Sequence, residues 1–156
     1  MDIESLKEVI DAYEYSTNWE RILKEYYIYY EKEIERCLPR GFAEHFDKNK
    51  HYHDWLLNDI AIHNCNHDTT KPLLDIKLSK DDALVSLRFE GVTALHIDGD
   101  FSNGYVGHMD ELEMCAFLKQ GKLFTFHCVF LYGLKVLVSY KELVWSIIEK
   151  ESVQYE

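Results

Sequence analysis

The stretch ALVSLRFEGVTALHID, residues 83–98, decides the fold. Val85, Leu87 and Phe89 alternate with Ser86, Arg88 and Glu90, and beyond Gly91 the residues Leu95 and Ile97 alternate with His96 and Asp98. A period of two places alternate side chains on opposite faces of a strand, whereas a helix would repeat every three to four residues. The same reading extends outward through LNDIAIHNC, PLLDIKL, ELEMCAFL, KLFTFHCVFLY and LKVLVSY, all rich in β-branched and aromatic residues. Their connectors, HDTTKP, SKDD, DGDFSNG, KQGK and YG, carry turn chemistry. No helical segment separates the strands, and a parallel pair needs a crossover of a dozen or more residues. An antiparallel meander of five to seven strands is therefore expected from about residue 57.

Upstream the period changes. Ile3, Leu6, Val9 and Ile10 recur at helical spacing, as do Trp19, Ile22, Leu23, Tyr26, Tyr27, Tyr30, Ile34 and Leu38. Helices are expected over about residues 3–12 and 18–37, the second ended by Pro39, with the short amphipathic piece GFAEHFDK following. The tyrosines read as a packing seam with their hydroxyls in water. The fold class is α+β, N-terminal helices packed on one face of a mostly antiparallel meander sheet. One domain spans residues 1–156, with a helical part at 1–48 and a β part at 49–150. The end of the chain reads two ways. SYKE (139–142) fits the Ser-x-x-Glu box that starts a helix, and VLVSYKELVWSII also reads as two strands joined at YKE.

Lys and Arg number 17 against 28 Asp and Glu, so the formal net charge is 17 − 28 = −11. That field repels phosphate backbones and disfavours nucleic acid, while it attracts basic partners. Cys37, Cys65, Cys115 and Cys128 form no CxxC, and MDIESLKEVIDAYE has neither a basic start nor an apolar core like a secretory signal. No apolar run is long enough to span a bilayer. A reduced, cytoplasmic protein without membrane contact is expected.

HYHDWLLNDIAIHNCNHD (51–68) is the stretch richest in potential ligands. On a strand His63, Cys65 and His67 share one face at intervals of roughly 6.5–7 Å, with His51 or His53 available as a fourth donor, a set that suits zinc. Zinc sites are usually built on tight C-x₂₋₄-C or H-x₃₋₅-H turns or on H-E-x-x-H, and none is present. No metal and no cofactor are expected, a metal-dependent enzyme or sensor built on residues 51–67 being the alternative. For catalysis, the nucleophile, phosphate-loop and dinucleotide motifs are all missing from the sequence. The acids Asp98 and Asp100 lie in DGDFSNG (98–104), with Asp110 and Glu111 beyond it, and read as turn composition, so no catalytic residue is assigned.

HYHDWLLNDIAIHN, then VSLRFEGVTALHIDGDF, then KLFTFHCVFLYGLKVLVSYKELVW follow a recurring order: a His-Asp entry, a strand of form x-Leu-x-Phe-x-Gly-Val, and a closing hairpin. Over roughly residues 38–146 this resembles a group of small bacterial domains, some of them similar to immunity proteins encoded beside polymorphic toxins. The family pattern carries a Trp ahead of its penultimate hairpin, where this chain reads ELEMCAFLKQG without one. The resemblance favours a strand for ELVWSII. It also implies a non-enzymatic cytoplasmic protein that neutralises a cognate toxin by direct binding. A basic toxin domain is the partner that the acidic charge suits, with Asp98, Asp100, Asp110 and Glu111 as contact residues. A second alternative is an oligomeric structural or regulatory module using the tyrosine helix as its interface; the same helix, starting with Tyr26, Tyr27 and Tyr30, is the next candidate for the partner contact.

Overall fold

The computed structural model describes residues 19–63, 72–99 and 110–149. The expected helix at 3–12 lies outside them, as do Cys65, His67 and Asp100. The second expected helix is present. It begins as α1 (Trp19–Tyr29), continues as a π-helical turn (Tyr30–Ile34) and ends as a tight 3-10 turn (Glu35–Cys37). The change of winding follows from the stripe. Tyr26, Tyr30 and Ile34 are buried at steps of four, which drift around a helix of 3.6 residues per turn; the wider π turn takes up the drift. Beyond Pro39, Gly41 turns the chain at φ 82° into α2 (Phe42–Lys48).

Among the described residues eight strands follow: β1 (Leu56–His63), β2 (Leu73–Lys80), β3 (Ala83–Glu90), β4 (Ala94–Asp98), β5 (Leu112–Gln120), β6 (Leu123–Phe130), β7 (Lys135–Tyr140) and β8 (Glu142–Glu149). All pairings are antiparallel, and ELVWSII is a strand. The strands form two four-stranded sheets, ordered β1-β2-β3-β8 and β4-β7-β6-β5, rather than one meander of five to seven. The eighth strand arises because the run 83–98, read as one strand, breaks once. Residues 83–98 bend at Gly91, and residues 135–149 bend at Lys141, between Tyr140 and Glu142. The two breaks face each other: the Lys141 N–H donates to the Glu90 carbonyl at 3.0 Å. Gly91 has φ 63°, and a Cβ there would lie 3.0 Å from the Lys141 Cβ. The β3–β4 and β7–β8 ribbon thus passes from one sheet into the other, and alternation alone does not reveal that corner.

On the opposite margin the sheets meet at an isolated Leu56–Glu111 bridge, reinforced by Asp54 N–H to Leu112 carbonyl (2.9 Å) and Leu57 N–H to Asp110 carbonyl (2.7 Å). Both sheets and the helices contribute to one core. Phe89 of β3 stacks on Phe126 of β6 at 5.2 Å between ring centres, and Phe117 of β5 lies 4.8 Å from Phe126. From α2, Phe42 reaches both Phe117 and Trp145, so this helix plugs the space between the sheets.

The hydroxyls of Tyr26 and Tyr29 are bound to a strand and not left to water, contrary to the sequence reading, whereas Tyr27 is exposed. The Tyr26 hydroxyl accepts the Phe117 N–H at 2.7 Å, and the Tyr29 hydroxyl accepts the Lys119 N–H at 2.9 Å. Three residues along a helix rise about 4.5 Å and two along a strand about 6.8 Å, a mismatch that two tyrosine side chains can span. The outer edge of β5 is thereby satisfied by side chains in place of another strand.

Candidate functional site

The His-rich stretch is dispersed. His51 follows α2 in a turn where Lys50, His51 and Tyr52 all have left-handed backbone (φ 53°, 56° and 60°), a conformation costing a non-glycine residue roughly 1–2 kcal/mol. The turn lays the His51 ring flat on Phe46, with ring centres 4.1 Å apart and planes at 10°, and brings it to 4.6 Å from Tyr30. His51 Nε2 lies 3.0 Å from Asp47 Oδ1, the same oxygen that accepts the Tyr30 hydroxyl at 2.8 Å. Burial holds the His51 pKa below its ordinary value, so the ring is a neutral donor to Asp47, and its Nδ1 has no hydrogen-bond partner among the described residues. His53 pairs with Asp54 at 3.1 Å.

His63, at the far end of β1, pairs with Asp75 of β2 at 3.0 Å, while Arg88 of β3 grips the same carboxylate with Nε at 2.9 Å and a terminal nitrogen at 3.2 Å. The register aligns Asp75 with Arg88, and this three-strand link holds the Asp75 carboxyl below its ordinary range, chiefly through Arg88. Each described histidine of the stretch is committed to its own aspartate. Among the described residues no three His, Cys, Asp or Glu side chains are grouped to hold a metal.

The acids fare differently from one another. Asp98 is exposed at the end of β4, opposite Lys135 in register. Glu111 is half-buried, with its carbonyl accepting the Leu131 N–H at 2.8 Å. Asp110 is only 5% exposed; its Oδ1 accepts the Tyr132 N–H at 2.9 Å, and burial raises its carboxyl above the ordinary range. Asp110 is therefore a brace for the β6–β7 hairpin and offers no free carboxylate. Asp100 lies outside the described residues.

What the brace presents is the feature that the sequence reading passed over. In the hairpin tip Leu131 is 48% and Tyr132 56% exposed, and on β4, which pairs with β7, Ile97 is 38% exposed. The tip turns at Gly133, φ 91°, closed by the Phe130 N–H on the Leu134 carbonyl at 2.8 Å. An aromatic and an aliphatic side chain are thus about half exposed on a hydrogen-bonded turn, with Glu111 at one foot and Asp98 beside Lys135 at the other. In the sequence, YG registers only as a connector; the signal that could have found the site is an apolar Leu-Tyr pair where turn residues are ordinarily polar.

Fold and surface together define an α+β protein of two antiparallel sheets that displays an apolar hairpin tip among carboxylates. No protein-family model matches the chain, and no curated protein matches it.

Proposed function

We propose that this chain is a non-enzymatic protein-binding module and, most specifically, a cytoplasmic immunity protein that neutralises a basic toxin domain by covering its active surface. The observation that carries the reading is the pair Leu131 and Tyr132, exposed at a hairpin tip whose backbone is fixed by the buried Asp110 carboxylate. Binding energy concentrates in a few anchors, tyrosine prominent among them, encircled by polar groups that exclude water. Leu131 and Tyr132 supply the anchors, while Asp98 and Glu111 supply a rim whose charge suits a basic cleft. The −11 net charge adds long-range steering. The order of motifs that resembles the immunity domains gives the same partner class.

The test is co-expression with the product of the gene immediately upstream. The reading requires that the chain protect cells from that product and bind it in a purified mixture. It also requires that Asp98→Lys and Glu111→Lys slow association, with the effect shrinking as salt rises. An upstream gene without a toxin-like domain, or full protection by Tyr132→Ala, would overturn it.

A further inference from the structure

The Phe117 and Lys119 amides of β5 point outward, to the Tyr26 and Tyr29 hydroxyls. In an antiparallel ladder the amides of alternate residues point toward the partner strand and away from it. Phe117 and Lys119 therefore hold non-hydrogen-bonded positions toward β6. Cys115 shares their parity with no register shift between, so it holds one too. The residue directly across from it is Cys128. In such a pair the Cα atoms lie about 4.5 Å apart, inside the roughly 4.4–6.8 Å that a disulfide spans. The Cβ atoms are about 4.5 Å apart, at the wide end of the roughly 3.5–4.5 Å that the bond accepts. Both thiols are free, and both are buried in the common core. The next pair on the same face shows the closeness directly: Phe117 is opposite Phe126, with ring centres 4.8 Å apart.

We propose that Cys115 and Cys128 are a redox-active dithiol that closes to an intrachain disulfide across β5 and β6 by exchange with a low-molecular-weight disulfide. One protein thiolate attacks a sulfur of that disulfide, its S–S bond breaks, and one small thiol leaves. The second protein thiolate then attacks the protein sulfur of the mixed disulfide, forming the Cys115–Cys128 bond and releasing the second small thiol. The two protons lost by the protein thiols end on the two released thiols, so the protein sulfurs are oxidised and the small disulfide is reduced. Burial sets the pace. It pushes both thiols above their ordinary pKa and keeps them from solvent, so exchange runs through openings of β5. That strand is the last of its sheet, and tyrosine side chains take the place of a neighbour on its outer side. Geometry sets the strength. Cβ atoms at the wide end of the range strain the bond, and a strained disulfide is readily reduced. The pair thus stays a dithiol where small thiols dominate and closes where small disulfides accumulate. Closure removes the S–H that Cys115 donates to the His51 carbonyl at 3.5 Å, a tether on the left-handed turn at Lys50–Tyr52.

The test uses the full chain carrying Cys37→Ser and Cys65→Ser, so that only this pair of thiols remains. It is equilibrated over a series of ratios of reduced to oxidised glutathione, in urea below the unfolding transition so that β5 opens. The chain is then denatured, alkylated and weighed. Expected is a species lighter by two hydrogens that takes up no alkyl group, yields a peptide joining Cys115 to Cys128, and reverts on addition of dithiothreitol. The register supplies a control. Cys128→Ser combined with Val129→Cys moves the second thiol to the opposite face of β6. With its circular dichroism unchanged, that variant should show a closed-to-open ratio lower on the order of tenfold. Two alkylatable thiols at every glutathione ratio overturn the proposal, as do mixed glutathione disulfides in place of the internal bond. So does a shifted pair that keeps its fold and closes as fully as the native one.

Discussion

Tyr26 and Phe117 are joined by a 2.7 Å hydrogen bond across 91 residues of chain, helix hydroxyl to strand amide. The pair ties the helical layer to the outer edge of β5, and burial raises the Tyr26 pKa well above its ordinary value, so the hydroxyl stays protonated. Tyr26→Phe keeps the ring and strands the Phe117 N–H in a buried place. The expected loss is about 1–3 kcal/mol, the cost of an unsatisfied buried donor. Urea unfolding measures it; Tyr29→Phe, whose residue is only partly buried, should lose less.

Gly91 makes the corner of the β3–β4 ribbon. An alanine there must adopt a left-handed backbone and press its Cβ against Lys141 at 3.0 Å. Gly91→Ala should cost roughly 1–3 kcal/mol. Gly121 has the same sign of φ and open space around it, so Gly121→Ala bears the backbone cost alone and should be the milder variant in thermal unfolding.

The Asp75 carboxyl titrates below its ordinary value because Arg88 holds it. A group whose folded pKa is depressed contributes stability above its unfolded pKa and loses it as pH falls through the folded value. The contribution is therefore complete at neutral pH, begins to fall near the ordinary aspartate pKa of about 4, and is gone only when pH has dropped past the folded value. Arg88→Met removes the grip and leaves a 5% exposed carboxylate with His63 alone. It should destabilise the protein by about 1–3 kcal/mol at pH 7, and the difference from wild type should shrink steadily as pH is lowered below about 4, measured by urea midpoints along the series.

Asp110 behaves in the opposite sense. Its raised folded pKa means that its contribution is present below the unfolded value and lost as pH rises through the folded one. Asp110→Asn keeps an oxygen to accept the Tyr132 N–H and removes the buried charge. It should be neutral or slightly stabilising at pH 7, whereas Asp110→Ala should destabilise by about 1 kcal/mol or more by freeing the hairpin amide. Thermal unfolding of the two variants at pH 7 separates these outcomes.

Most of the strand positions could be read from the sequence, because alternation such as Val85, Leu87, Phe89 survives wherever one face is buried. The split into two sheets could not. It depends on Gly91 and Lys141 bending at the same level, a pairing between segments far apart in sequence. Helix spacing located Tyr26 and Tyr30 on a buried stripe, but not the destination of the Tyr26 hydroxyl, which only the docked strand reveals. For the site, sequence placed weight on Asp98, Asp100, Asp110 and Glu111 alike. Fold geometry alone distinguishes exposed Asp98 from buried Asp110, and brings Tyr132 to the acid that braces it.

The most direct test of the partner surface is the affinity of the chain for the purified upstream gene product, compared between wild type and Tyr132→Ala at one salt concentration. The substitution lies at a 56% exposed side chain, so the melting temperature should not change. The account predicts that affinity falls by roughly 30-fold, the loss of an anchor worth about 2 kcal/mol. Unchanged affinity for Tyr132→Ala, in a chain that binds the product, would contradict it.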